Sequence, residues 1–291
     1  MRILVTGGSG YLGTAAVAAL RGRGHDVVTI GRRPAIDAAV CDLTNEEATR
    51  HAVRAVGDID TVVHLAARAH DFHGLTLDEL LIANTTTTRN LVAALRVEGR
   101  SEAIRFVHAS SVAVYELLDP EHAIPAAEAP YAASKLQAEQ VLLAEPFRSL
   151  CLLRFALIYD RSHLIDVAKR VFLPGTRLKL RLCPPPVHSL CTLDRAVQAI
   201  LDAVEGAEAT GCSVSNVTDP TPIRQDEMAS WFPGPAFPVS TSLLRCLADA
   251  VSRCGVKGRK VSRLMDKFIT PGELPCVAVP GGAADGIDRT S

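Results

Sequence analysis

Short apolar runs without polar alternation, spaced by helix-length stretches, limit what this chain can fold into more than any other feature. Ile3-Leu4-Val5, Val27-Val28-Thr29-Ile30, Thr61-Val62-Val63, Ile104-Arg105-Phe106-Val107 and Leu150-Cys151-Leu152-Leu153 recur through the first 155 residues. Runs of this kind suit strands buried on both faces. Between them lie Ala- and Leu-rich stretches, Leu12 to Arg21, Glu46 to Val56 and Leu77 to Val97, suited to helices that cover those faces. The alternation predicts an α/β chain with a doubly wound parallel sheet over residues 1–155. From about residue 156 the rhythm loosens, and Pro184-Pro185-Pro186 and Pro233-Gly234-Pro235 interrupt it. Residues 156–280 are expected to form a smaller region, with a strand near Ser213 to Val217 and helices near Leu193 to Val204 and Thr241 to Arg253. The tail Gly281 to Ser291 has little to bury and is expected to be disordered.

Composition narrows the partners. Hydrophobic residues make up 48% and charged residues 22% of the 291, enough to bury a sizeable core. Lys plus Arg total 31 against 32 Asp plus Glu, a formal net charge of -1. Nucleic-acid binders carry a clear basic excess, so no nucleic acid is expected, and no membrane surface for the same reason. No apolar run reaches the roughly 18 residues of a spanning helix. A candidate buried strand starts at Arg2, so no leader segment is expected. The eight cysteines are widely and irregularly spaced, with no C-x-x-C pair, unlike paired zinc ligands. Reduced thiols and a cytoplasmic location are the expectation. His64, His70 and His73 are read as a strand-end residue and loop residues, with no metal expected.

The turn after the first strand carries the first chemical signal. Thr6-Gly7-Gly8-Ser9-Gly10-Tyr11-Leu12-Gly13 places glycines at Gly7, Gly10 and Gly13, then opens a helix. One glycine permits the tight turn, one lets backbone approach a pyrophosphate, and one lets helix pack on strand. The helix N-terminus offers N–H groups and partial positive charge to phosphates. A dinucleotide held by Gly7, Gly10, Tyr11, Leu12 and Gly13 in a Rossmann-type domain is the reading. The second strand ends Ile30-Gly31-Arg32-Arg33, where NAD binding usually uses an acidic residue on the ribose. Two guanidinium groups suit a 2′-phosphate instead, so Arg32 and Arg33 favour NADP, with NAD the alternative. Asp42-Leu43 follow a short apolar run, where they can meet an adenine ring or form a turn.

Tyr131-Ala132-Ala133-Ser134-Lys135 puts a phenol and an amine at i and i+4, on one face of an expected helix. A free phenol titrates near about 10. An ammonium about 4 Å away, at an effective dielectric near 20, favours phenolate by up to roughly 4 kcal/mol before desolvation. Such a phenol can exchange a proton with a carbinol or carbonyl. The strand ending His108-Ala109-Ser110-Ser111 precedes it. In a parallel sheet that end faces the ligand crevice, where a serine hydroxyl can hold the reacting oxygen. There is no G-x-S-x-G elbow, so nucleophilic hydrolysis is not expected.

Together these pieces resemble the extended short-chain dehydrogenase/reductases of the NAD-dependent epimerase/dehydratase type. The matching segments are Thr6–Gly13, Asp42-Leu43, His64-Leu65-Ala66-Ala67, Asn84–Asn90, Ser110–Tyr115, Tyr131–Lys135 and Leu153-Arg154, in order over about residues 1–160. The resemblance implies Tyr131 as acid/base and Lys135 as the group that lowers its pKa and bonds the nicotinamide ribose. It implies Ser111, rather than Ser110, on the reacting oxygen, Asn84 in the active-site network, and Ala66 with Ala67 against the cofactor ribose. Family dehydratases carry an acidic pair where Ser111-Val112-Ala113 stands here. The resemblance therefore implies NADP(H)-dependent ketone reduction or alcohol oxidation on a nucleotide sugar or related secondary metabolite. A nucleotide-sugar 4-epimerase with tightly bound NAD is the alternative. A non-catalytic dinucleotide-binding sensor or scaffold is the third reading, against which the retention of Ser111, Tyr131 and Lys135 argues. A homodimer built through two helices is the assembly such proteins often adopt. Glu116 replaces a common glycine, Tyr159-Asp160-Arg161 replaces a Tyr-Gly-Pro turn, and Thr192 stands where histidine is frequent, while Asp194 is kept. These departures fall where a substrate loop is expected.

Overall fold

The computed structural model of the chain describes residues 1–34, 38–68, 75–118, 125–173, 175–206 and 210–254, together with 258, 261, 262, 265 and 269. The expected tail disorder, and the loop histidines His70 and His73, lie outside the described residues. The described chain divides into two compact units: Met1–Phe155 with Ala196–Val217, and Ala156–Arg195 with the described residues from Thr218 onward.

The first unit opens with β1 (Arg2–Thr6), α1 (Tyr11–Gly22), β2 (Asp26–Gly31), β3 (Ala39–Val40), α2 (Glu46–Val56) and β4 (Thr61–His64). It continues with α3 (Leu77–Leu80), a π-helical turn (Leu81–Thr86), α4 (Thr87–Val97), β5 (Arg105–Ser111), a 3-10 turn (Val112–Val114), α5 (Tyr115–Leu118), α6 (Pro130–Leu143) and β6 (Ser149–Phe155). The second unit follows with β7 (Leu157–Tyr159), α7 (Ile165–Ala168), β8 (Leu180–Cys183), β9 (Val187–His188) and β10 (Leu190–Thr192). Helix α8 (Leu193–Glu205) begins there and passes to the first unit at Ala196, which also holds β11 (Gly211–Val217). Last come β12 (Ile223–Arg224), α9 (Gln225–Ser230), β13 (Phe237–Ser240) and α10 (Thr241–Ser252).

Among the described residues seven strands build one sheet in the order β3-β2-β1-β4-β5-β6-β11, every neighbouring pair parallel. This is the expected doubly wound sheet. Chain order reverses between β1 and β4, the place where such sheets open a ligand crevice at their carboxyl ends. The strand read near Ser213 to Val217, expected in the second half, joins this sheet instead. It pairs with β6 from Gly211↔Ser149 to Val217↔Phe155. Without it the β6 edge would leave a row of unpaired backbone groups.

The core explains the apolar runs. Leu4, Ile30, Val62, Phe106 and Leu152 are buried in one cluster with Leu91 and Leu95 of α4. The Phe106 ring packs at a tilt against Phe147, centroids 4.8 Å apart. Each such side chain contributes roughly 1.5–3 kcal/mol by leaving water. Helix ends carry their own signals. Asn45 accepts from Ala48 N at 2.9 Å to start α2, and Thr76 with Glu79 forms a capping box before α3. The stretch Leu77 to Val97, read as one helix, is interrupted by the π-helical turn. Such turns insert an extra residue and often sit at functional sites.

In the second unit β7 pairs with β10 and β8 with β13, both parallel, and β9 pairs with β12 antiparallel. Tyr159, Val167, Val171, Leu190 and Met228 form one core, and Leu180, Leu182, Leu244, Ala248 and Ile269 another. Among the described residues no helix is long and apolar enough to cross a membrane.

Candidate functional site

The glycine turn is shaped by contacts that admit no side chain. Gly7 has φ +73°, and a Cβ there would lie 2.6 Å from Ala66 N. A Cβ on Gly13 would lie 2.1 Å from Gly7 O. Gly10 N donates to Gly7 O at 3.0 Å, closing the turn, and Gly10 caps α1 with no side-chain hydrogen bond. Tyr11 and Leu12 start the helix half-buried, and Ala66 follows the end of β4. The loop thus gathers Gly7, Gly10, Tyr11, Leu12, Gly13 and Ala66 at the carboxyl ends of β1 and β4.

Arg32 and Arg33 are exposed just past β2. Asp42 is exposed and its carboxylate accepts from Thr44 N at 3.0 Å and Thr44 Oγ1 at 2.9 Å. The backbone bond from Thr44, then the Thr44 hydroxyl and the nearby Arg32 charge, hold this carboxyl below its ordinary range. The Leu43 side chain is in the hydrophobic core, 6% exposed, and its carbonyl accepts from Asn90 Nδ2 at 2.9 Å. The Asp42-Leu43 pair therefore forms a turn whose second side chain faces inward.

Helix α6 follows from its propensity, yet three polar side chains, Ser134, Lys135 and Glu139, are buried beside its Ala132, Ala133, Ala138 and Leu142. Lys135 is 3% exposed and its Nζ donates to Ala109 O of β5 at 2.6 Å. Burial pulls the ammonium down to about 8, against an opposing pull from Glu139. Tyr131 lies half-buried one turn earlier on the same helix. Ser111, at the end of β5, is half-buried and its Oγ accepts from Ala113 N at 3.2 Å. Ser110 is 4% exposed and turns the other way, donating to Glu139 Oε1.

Asn84 lies in the π-helical turn and is 2% exposed. Its Oδ1 accepts from Arg68 N at 2.7 Å, and its Nδ2 donates to Ser134 Oγ at 2.9 Å. Ser134 Oγ in turn donates to Tyr131 O at 2.8 Å. Asn84 thus pins the helical turn that presents Tyr131, a role for Ser134 that no local pattern announced.

His64 links this cluster to the glycine turn. Its Nδ1 lies 2.6 Å from Thr6 Oγ1 and its Nε2 2.9 Å from Thr88 Oγ1. Thr88 Oγ1 spends its proton on Asn84 O at 2.7 Å, so it accepts from His64 Nε2–H. Thr6 Oγ1 then donates to Nδ1 and accepts from Ala66 N at 3.4 Å. Burial, and the Lys135 charge after it, push this imidazole down to about 3. The unfolded chain takes up that proton near the ordinary 6.5 and the folded chain resists it, so stability falls as pH drops below about 6.5. Urea midpoints should decline from about pH 7 to about pH 5; a constant midpoint over that interval contradicts a buried neutral imidazole.

The second unit contains a separate cavity of about 260 Å³ lined by Tyr159, Asp160, Arg161, Thr192, Leu193 and Asp194. The Tyr159 ring stacks on Trp231 at 5.3 Å, and the Arg161 guanidinium lies 4.5 Å from the centre of the same indole. Burial, then the charge of Asp219, pushes the Tyr159 phenol up to about 12. The departures noted at Tyr159-Asp160-Arg161 and Thr192 fall together here, as β7 and β10 pair Tyr159 with Thr192.

Residues 3–159 match the NAD dependent epimerase/dehydratase family. A 2-alkyl-3-oxoalkanoate reductase of Stenotrophomonas maltophilia is 36% identical over 166 residues, 52% of this chain and 48% of that protein. A 3-beta-hydroxysteroid dehydrogenase of Mycolicibacterium neoaurum is 36% identical over 125 residues, 39% of this chain and 32% of that protein. The matches thus span about half or less of these relatives. The fold is shared with UDP-glucose 4-epimerase from Bifidobacterium longum, solved with NAD+ and UDP, at TM-score 0.64 and 19% identity over 82% of this chain and 86% of that one.

Proposed function

Because the chain belongs to the NAD-dependent epimerase/dehydratase family, we propose that it is an NADP(H)-dependent oxidoreductase that interconverts a ketone and a secondary alcohol. The observation that carries this reading is Lys135, buried one turn from Tyr131 and docked on Ala109 O, two residues before Ser111. The residues present fit a dinucleotide. Gly7 and Gly13 leave open backbone where any Cβ would strike neighbouring main chain, and the helix end capped by Gly10 can face a pyrophosphate.

Gly7, Gly10, Gly13 and the start of α1 at Tyr11 and Leu12 would hold the pyrophosphate, and Ala66 the adjoining ribose. Arg32 and Arg33 would grip a 2′-phosphate. The reduced dinucleotide, when bound, supplies the hydride. Ser111 Oγ–H holds the substrate carbonyl oxygen. Tyr131 donates its phenolic proton to that oxygen as the carbon is reduced, and takes it back in the oxidative direction. The Lys135 ammonium favours the phenolate left behind and would bond the nicotinamide ribose. Asn84 keeps the turn bearing Tyr131 in place. Substrate selection is assigned to the second unit, with a nucleotide sugar or a related secondary metabolite as substrate. The named reductase and dehydrogenase relatives support carbonyl–alcohol chemistry.

A substrate panel followed by NADPH absorbance, with bound cofactor identified after denaturation, tests the proposal. Steady NADPH consumption supports it. Isomerised product with NAD retained through purification, and no net consumption, points to a 4-epimerase instead. Arg32→Ala is expected to weaken NADPH by about tenfold or more while NADH changes little, because only the former loses a charge-assisted pair. Equal weakening of both dinucleotides removes the basis for preferring the phosphorylated form.

A further inference from the structure

Tyr131, Lys135 and Glu139 follow one another at four-residue steps along α6, so their side chains share one face. The proposed chemistry uses the first two and leaves Glu139, which is 1% exposed. A carboxylate stripped of water stays ionised only where charge and hydrogen bonds replace hydration. Arg154 of β6 supplies two parallel bonds, Nε to Oε1 at 3.0 Å and a terminal nitrogen to Oε2 at 2.7 Å. That fork fixes the plane of the carboxylate as well as its charge. Ser110 of β5 adds a third donor. Arg154 is itself held, its guanidinium 4.9 Å from the centre of the Tyr115 ring. The Tyr115 hydroxyl bonds Asn216 of β11 at 2.9 Å.

Two consecutive residues of β5 thus anchor the two charges: Ala109 O takes the Lys135 ammonium, and Ser110 Oγ meets the Glu139 carboxylate. We propose that Glu139, clamped by Arg154 and Ser110, is a positioning residue that supplies the counter-charge keeping Lys135 an ammonium one turn from Tyr131. The inference rests on the acid/base reading of Tyr131 and Lys135 and deepens it.

The other titratable groups around this pair do not supply that charge. His64 of β4 and His108 of β5 are buried, and desolvation holds both neutral. Cys212 of β11 is exposed, and partial desolvation, then the charges of Cys151 and Glu139, raise its thiol. Tyr115 of α5 meets the Arg154 side of the pair. Among the described residues, Glu139 is the group acting on Lys135 that opposes the cost of burying its charge.

The test reads Lys135 directly. The chain has six lysines, so in full-length protein labelled at lysine Cε the Lys135 resonance can be assigned with Lys135→Met and followed against pH. The unsubstituted chain should titrate with a midpoint of about 8. Glu139→Gln should lower the midpoint by about one unit, the scale on which a close opposite charge moves an amine. Arg154→Gln should lower it too, because the buried carboxylate then loses the partner that keeps it ionised. Arg154→Lys disturbs the same pair but keeps a cation on the carboxylate and should hold the midpoint near that of the unsubstituted chain, a rescue that a merely structural role would not give. If Glu139→Gln does not fold, Glu139→Gln with Arg154→Gln replaces the ion pair by neutral amides and should still lower the midpoint. The alkaline limb of NADPH-dependent turnover should shift in the same direction as the midpoint. An unmoved midpoint in the carboxamide variants overturns the role of Glu139. Full turnover in Tyr131→Phe would instead overturn the acid/base assignment and leave the titration result standing.

Discussion

Replacing Tyr131 by phenylalanine should abolish measurable turnover while NADPH affinity stays within a fewfold. Loss of a positioned general acid costs about 10²–10⁴-fold in rate. The ring is retained, and three anchors of this helical turn run through other atoms. Asn84 Nδ2 bonds Ser134 Oγ, Ser134 Oγ bonds the Tyr131 carbonyl, and Lys135 bonds Ala109 O. The fold and the cofactor cradle should therefore survive the substitution. Stopped-flow hydride transfer on the responsive substrate, beside a fluorescence titration with NADPH, checks both halves. Turnover at the original rate would remove Tyr131 from the chemistry. A parallel collapse of NADPH binding would make it a cofactor ligand rather than the acid.

Gly13→Ala should have the largest effect on cofactor binding. The new methyl group would lie 2.1 Å from Gly7 O, 2.9 Å from Gly7 C and 2.9 Å from Gly8 Cα. All three are main-chain atoms, so the start of α1 and the turn must separate. Overpacking of this kind costs roughly 1–3 kcal/mol or more. It also moves the helix end from the position a pyrophosphate would take. NADPH affinity should fall by about a hundredfold or more, which is about 2.7 kcal/mol of binding free energy. Gly22→Ala at the far end of the same helix meets nothing within 4 Å. It should leave affinity unchanged and stabilise by about 0.5–1 kcal/mol. Thermal melts with and without NADPH separate the two variants. Equal binding by both would show that the turn carries no phosphate.

The two predictions differ in how much of their basis could be read along the chain. Gly7, Gly10 and Gly13 lie within seven residues, and each constraint they satisfy is local, so spacing alone revealed the turn. Tyr131 and Lys135 are one helical turn apart, and the helix was legible from its Ala-, Leu- and Gln-rich composition. The same helix hid its most buried charge. Its period puts Glu139 on the face of Tyr131 and Lys135, but nothing along the chain announces the partners that let a carboxylate be buried there. It is interior because β5 and β6 place Ser110 and Arg154 against it. The π-helical turn was also invisible, since the stretch Leu77 to Val97 has an ordinary helical composition. Its extra residue turns Asn84 and Thr85 onto Ser134 of α6, a partner 49–50 positions further on.

Strand runs, helix-length intervals and the glycine triplet settled the parallel sheet and the tight turn at the carboxyl end of its first strand, because each is a short-range property of backbone geometry and apolar pattern. The wiring of the site has no such origin. Thr6 meets His64 across 58 residues, Tyr115 meets Asn216 across 101, and β11 returns to β6 after the chain has passed through the second unit. Hydrogen bonds and ion pairs of this range leave no period in the sequence. They exist only once the sheet has assembled, when buried polar groups that have lost water must find one another.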